Sequence, residues 1–321
     1  MRMLRTISLT AASGLLLLTA ACGGDSLESD KDKDAGTGSS DSADKGSVVV
    51  GGQDFTESAI LAAIYAKLLE NEGYDVDTKL VTTRDVYVPE LAKGNVDIVP
   101  DYLAGITDFL NTDANGADAD VVSTNDKDET LAALEPLAEA KGISILPPSE
   151  ATDQNAFFVT TEFAEANDLE TLSDFAALGT PIKLGAPEDC AGRADCEGGL
   201  TEVYGFDISE IVPLGFGNPQ VKDAVTKGDV DLGETGTTDG TLGELGLTLL
   251  DDDKGIQPAQ NLTPAVNADF LADNPDLEAL FNSLSAALTT EDLAEMNVSV
   301  DLERKKPEDV AATFLEDKGL I

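Results

Sequence analysis

Hydrophobic positions along the chain follow two alternating patterns. Val48-Val49-Val50 is a short continuous apolar run, the form of a strand buried on both faces. A glycine loop, Gly51-Gly52-Gln53, follows it. Asp54, with Glu57 three residues on, is placed as a capping box for the next helix. That helix carries Ile60, Leu61, Ile64, Leu68 and Leu69 on one face and stops near Gly73. Residues 76–81 read as a second strand. A helix from about Val86 ends at Gly94, and Val96-Asp97-Ile98-Val99 reads as a third strand. Strands that alternate with helices imply parallel pairing under covered faces, so the fold class is α/β.

One stretch of this pattern occurs twice. Ala92-Lys93-Gly94-Asn95-Val96-Asp97-Ile98 recurs as Thr226-Lys227-Gly228-Asp229-Val230-Asp231-Leu232. Each copy has the form of a helix closed by a glycine, then a turn, then a strand. So short a match also fits ordinary αβ grammar. Taken as a duplication, it implies two lobes of similar design. Ligands of open α/β sheets sit beyond the carboxyl ends of the strands. Those ends are Pro100-Asp101-Tyr102 and Glu234-Thr235-Gly236, and two such lobes face to face make a cleft.

The N-terminus departs from the pattern. Arg2 and Arg5 precede an apolar stretch over residues 7–18. That is too short for the ~20 helical residues that span a bilayer, and it reads as an export signal. Thr19-Ala20-Ala21 precedes Cys22 in a way that resembles a bacterial lipobox, with Thr19 in place of the usual aliphatic residue. Lipidated Cys22 then becomes the first residue of the mature chain. An ordinary secretory signal with an incidental cysteine is the other reading. Residues 23–46 are mostly Gly, Ser, Asp and Lys and read as a disordered tether. A coil of ~24 residues spans roughly 25–30 Å r.m.s., enough to hold a domain off a membrane.

Composition narrows the chemistry. Of 321 residues, 62 are acidic, 20 basic and three cysteine, and there is no histidine or tryptophan. Without histidine there is no Ser-His-Asp triad, imidazole base or His-ligated zinc site. Three cysteines cannot build a Cys₄ site either. Glu234 with Asp101 is the carboxylate pair an enzyme would need, yet no nucleophile stands in a recognisable setting. No enzymatic activity, metal or cofactor is expected. A net charge of −42 repels phosphates, which excludes nucleic acid as a partner. Asn111-Thr112-Asp113-Ala114-Asn115-Gly116 opens like a calcium loop, but its twelfth position is Val122 where a bidentate acid is required. It reads as a polar turn.

Cys190 and Cys196 remain. In an exported chain they are expected to be oxidised to each other, stapling the loop that carries Arg193. So held, Arg193 is a candidate for gripping a carboxylate. A surface charge on a stapled loop is the alternative.

Six segments then occur in order: GGQDFTES at 51–58, GNVDIVPDY at 94–102, RADCEGGLTEVYG at 193–205, TTDG at 237–240, LDDDK at 250–254 and KPEDVAATFLEDKGLI at 306–321. With them the chain resembles the substrate-binding proteins of osmoprotectant ABC importers, which take up glycine betaine, choline and related compounds. The resemblance implies a two-lobed periplasmic-binding-protein fold, type II-like, with the ligand in the inter-lobe cleft. It divides the chain into a signal peptide (1–21), lipidated Cys22 with its tether (22–46), lobe 1 (47–153 and 265–321) and lobe 2 (154–264). The implied partners are a small zwitterionic osmolyte and an ABC permease. The chain would act as a monomer, lipid-anchored on the extracytoplasmic face of the cell membrane. A receptor for an amino acid or other amine-bearing zwitterion, or a sensing domain, is the alternative.

The family's site combines a cage of tyrosines around a quaternary ammonium with basic groups on the carboxylate. A trimethylammonium has no N–H to donate, so aromatic faces are what it can use. Carried over by position, one tyrosine is Tyr102 and a second falls at Phe157. A third falls at Gly236, beside Thr235, and a fourth at Gln260. The carboxylate-binding arginine matches Arg193, and Gln53 stands where an assisting lysine is expected. Losing two aromatic faces at ~1–2 kcal/mol each weakens quaternary ammonium binding roughly 30- to 1000-fold. Glu234 is either a charge partner for an ammonium or a solvent-facing acid at a strand end.

Overall fold

The computed structural model describes residues 45–321. The export signal, Cys22 and nearly all of the tether lie outside the described residues. Among the described residues, ten strands form two five-stranded sheets. The first contains β1 (Ser47–Gln53), β2 (Asp75–Val81), β3 (Ile98–Tyr102) and β4 (Ile143–Ile145). The second contains β5 (Asn155–Thr160), β6 (Ile182–Ala186), β7 (Ile208–Pro213), β8 (Leu232–Gly236) and β9 (Leu247–Leu250). The last strand, β10 (Leu262–Asn267), returns to the first sheet between β3 and β4. The spatial orders are β2-β1-β3-β10-β4 and β7-β6-β8-β5-β9. In each sheet three parallel strands are followed by one antiparallel strand that arrives from the other sheet. We call the two halves lobes.

Both faces of each sheet are covered, as the continuous apolar runs require. Val48, Val50, Ile98 and Val266 pack on one face of the first sheet with Ile60, Leu61, Ile64, Leu68 and Leu69 of the helix Thr56–Asn71. Val99 and Ala265 point to the opposite face. Phe157 and Phe158 likewise divide between the two faces of the second sheet. Each such side chain contributes ~1.5–3 kcal/mol by leaving water. No helix of the described residues is long and apolar enough to cross a membrane.

The repeated segment is one structural device used twice. Gly94 and Gly228 each take φ 73°, a left-handed conformation that ends the helix before it. Asp97 accepts the Val49 N–H (2.7 Å) and returns its own N–H to the Val49 carbonyl (2.9 Å). Asp231 does the same with Lys183 (2.8 and 2.9 Å). These side-chain bonds tie the turn to the neighbouring strand, which is why both copies carry aspartate there.

Local expectations shift in four places. Gly51-Gly52-Gln53 continue β1, because they pair in register with Lys79-Leu80-Val81. Asp54 does not cap the first helix; Phe55 occupies the cap position without a side-chain bond, and Glu57 turns away to partners across the fold. The second helix begins at Arg84. The third strand starts at Ile98, since Asp97 is spent on the turn. The chain crosses between sheets twice, and the crossing segments meet in an antiparallel bridge between Thr152 and Asn261. Leu262 and Thr263 already pair with Tyr102 and Asp101 in the first sheet.

Candidate functional site

A cavity of about 380 Å³ lies where the lobes meet. The first lobe lines it with Phe55, Thr56 and Glu57, and with Asn297, Val298 and Asp301 of the helix Thr290–Asp301. Asp153, on a crossing segment, lines it as well. From the second lobe come Phe216, Gly217, Lys222, Thr235, Gly236 and residues 238–241.

One end of the cavity combines carboxylates with aromatic faces. Glu57 sits in the first turn of its helix, where the macrodipole favours negative charge. It is 4% exposed and accepts from the Tyr102 hydroxyl (2.6 Å) and the Asn297 amide (2.7 Å). Burial, and next the charge of Glu57, hold the Tyr102 phenol well above its ordinary pKa. Burial and the same charge push Asp153 up to about 7, against the Thr238 hydroxyl that donates to it at 3.1 Å. Phe55 stacks on Tyr102 with ring centroids 6.3 Å apart and is 41% exposed. Phe216 is 46% exposed, presented by a loop whose flanking Gly215 and Gly217 take φ of 83° and 58°. Exposed phenyl faces beside buried Glu57 and partly buried Asp153 suit a cationic group.

The other end is a closed polar pair. Lys222 Nζ lies 2.5 Å from Asp239 and donates to Thr241 at 2.7 Å. Thr235 donates to Asp239 at 2.6 Å. Burial opposes the charge on Asp239, but the bonds from Lys222, Thr235 and Thr241 prevail and hold its carboxyl below the usual range. Lys222 is the one basic residue on the cavity lining among the described residues.

The sequence-derived candidates scatter. Thr235 and Gly236 line the cavity, and Tyr102 reaches it through Glu57 and Phe55. Gln53 turns its amide to the Thr82 carbonyl (3.4 Å), and Gln260 accepts the Gly105 N–H (3.1 Å). Phe157 is 1% exposed in the core of the second lobe, because its strand is covered on both faces. It borders a separate cavity of about 490 Å³ with Asn155 and Gln257. Arg193 stands on the loop closed by the Cys190–Cys196 disulfide, but its guanidinium grips Asp195 (2.9 and 2.7 Å) and does not line the inter-lobe cavity. Glu234 is fully buried rather than solvent-facing, with Oε2 3.2 Å from the Cys196 sulfur.

Phe55, Glu57, Asp153, Phe216, Lys222 and Asn297 are among the cavity residues that sequence reasoning missed. Phe55 and Glu57 stand inside the GGQDFTES segment, and Phe216 is marked by the glycines on either side of it. Asp153, Lys222 and Asn297 carry no local signal.

A model of the family described as OpuAC, the substrate-binding domain of ABC-type glycine betaine transport systems, matches residues 46–317. The chain belongs to this family. OpuAC domains are the extracytoplasmic substrate-binding components of ABC importers and are not enzymes. Among similar OpuAC-type proteins, the glycine-betaine-binding protein of Pseudomonas aeruginosa is 29% identical over 289 residues, 85% of this chain and 88% of that one. The carnitine transport binding protein OpuCC of Listeria monocytogenes is 25% identical over 276 residues, 85% and 87% of the two chains. Apo YehZ from Escherichia coli superposes with a TM-score of 0.72 at 27% identity, covering 85% of this chain and 99% of that structure.

Proposed function

We propose that this OpuAC domain captures a small solute with a cationic nitrogen head in the inter-lobe cavity and passes it to an ABC permease. The observation that carries the reading is the placement of Phe55 and Phe216, one from each lobe, beside Glu57 and Asp153 in one cavity. A head bound there touches both lobes and the crossing segment, so binding holds the two lobes together. Glycine betaine and carnitine, named for the relatives, carry such a head. The lipobox at Cys22 supports a lipid anchor, and the cavity is complete within one chain, which supports a monomer.

Thermal unfolding against a panel of betaines, amines and amino acids tests the reading. A ligand at 100 times its Kd stabilises by about 2.7 kcal/mol, a shift of a few degrees. The double variant Phe55→Ala, Phe216→Ala is expected to abolish that shift. An unchanged shift moves the site elsewhere. Anchoring is tested by fractionation: Cys22→Ser is expected to move the protein from the membrane fraction to the soluble one.

A further inference from the structure

Two carboxylates and two exposed phenyl rings share this cavity. Gly236 lines it without a side chain. A Cβ built there lies 3.1 Å from Asp153 Oδ1 and 3.7 Å from the Phe216 ring. The space is therefore taken by a carboxylate oxygen and not left open. Two exposed phenyl faces remain, Phe55 and Phe216, with Tyr102 stacked against the first.

The carboxylates differ in what they still lack. Both oxygens of Glu57 already accept, one from Tyr102 and one from Asn297. Asp153 accepts the Thr238 hydroxyl at Oδ1, and its Oδ2 has no donor among the described residues. A cation bound beside it favours the ionised form, and an ionised carboxylate in so confined a place is matched by N–H donors, which form short charge-assisted bonds. A quaternary ammonium offers none. Its methyl groups also hold the positive nitrogen farther from the carboxylate, where attraction is weaker.

Resting on the cavity reading above, we propose that this site prefers a cationic head that keeps N–H donors, a primary or secondary ammonium, over a quaternary one. Asp153 is the residue that sets the preference. Asp153 lies next to the Thr152–Asn261 bridge, so a head that bonds it is held at the junction of the lobes.

Calorimetric titration of the purified mature protein with two methylation series tests this: glycine through sarcosine and dimethylglycine to glycine betaine, and ethanolamine through its N-methyl homologues to choline. Affinity is expected to fall about tenfold or more from the tightest N–H-bearing member to the quaternary one. Asp153→Asn is expected to flatten that ranking to within about threefold, while residual binding shows the cavity intact. Tightest binding of the quaternary members, or a ranking unchanged in Asp153→Asn, overturns the preference and leaves the cavity reading standing. No binding by any member of either series overturns the cavity reading and this inference with it.

Discussion

The two lobes share one device and part company at the ends of their third strands. After the common Gly-turn-Asp unit, the first copy runs Val99-Pro100-Asp101-Tyr102 and the second Gly233-Glu234-Thr235-Gly236. The acid has moved by one position, and strand alternation turns it to the opposite face. Asp101 is 1% exposed but well supplied with donors: Arg84 (3.1 and 2.7 Å), the Tyr87 hydroxyl and the Tyr102 N–H (2.7 Å). Glu234 is buried as deeply and has none among the described residues. Its Oε1 is unpartnered, and Oε2 faces a disulfide sulfur that holds no proton. Burial pushes Glu234 up to about 7 despite the pull of Arg193. What separates the two acids is the donor set that neighbouring elements deliver, not depth.

The largest test of that contrast is Asp101→Ala. It strands the Arg84 guanidinium, whose side chain is only 21% exposed, and is expected to cost about 3–5 kcal/mol in urea unfolding at pH 7. A loss under about 1 kcal/mol means the Arg84 pairing carries little of the lobe's stability.

Gly236→Tyr restores in the second copy the aromatic that Tyr102 supplies in the first. Because the site already holds Asp153 and Phe216, about 1–3 kcal/mol of overpacking is expected, with loss of the ligand-induced thermal shift. Tighter binding by this variant reverses the conclusion that Asp153 already fills the space beside Gly236.

Glu234→Gln sharpens the comparison through pH. Between the ordinary glutamate value of 4.5 and about 7, folded Glu234 keeps a proton that the unfolded chain has released. Stability therefore declines as pH rises through that window, and the whole loss is present above about 7. The variant is expected to exceed the parent by about 1–2 kcal/mol at pH 8 and to match it near pH 4. Equal urea midpoints at pH 8 indicate that Glu234 has found a donor in solution.

The smallest structural effect is expected for Phe216→Ala. Half-exposed, the ring contributes within about 0.5 kcal/mol to stability, read from urea unfolding. Its loss weakens a cationic ligand about 5- to 30-fold in titration. A large stability loss with unchanged affinity reassigns Phe216 to packing.

Much of the frame was legible in the chain because its signals are local. Apolar runs and helical spacing located β1 and the helix Thr56–Asn71, and the repeated glycine and aspartate marked equivalent turns in both lobes. Sequence and structure part where a residue's partner is distant. Gln53 follows two glycines and has the local look of a loop, yet it pairs with Val81 in β1. Phe157 sits where the resemblance implies a cage ring, but both faces of its strand are covered.

For the ligand site the division is sharper. Residue order carries the family, the stapled loop and the absence of imidazole chemistry, because each depends on identity and spacing alone. Which groups share the cavity depends on the fold. Glu57, Asp153, Phe216 and Asn297 are separated by up to 240 residues, as in the Glu57–Asn297 bond, and no local pattern links them. Arg193 shows the converse: it has the expected identity and a rigid setting, yet Asp195, two residues away, takes its charge. Long-range packing chooses which buried charges meet a donor and which are left facing a ligand.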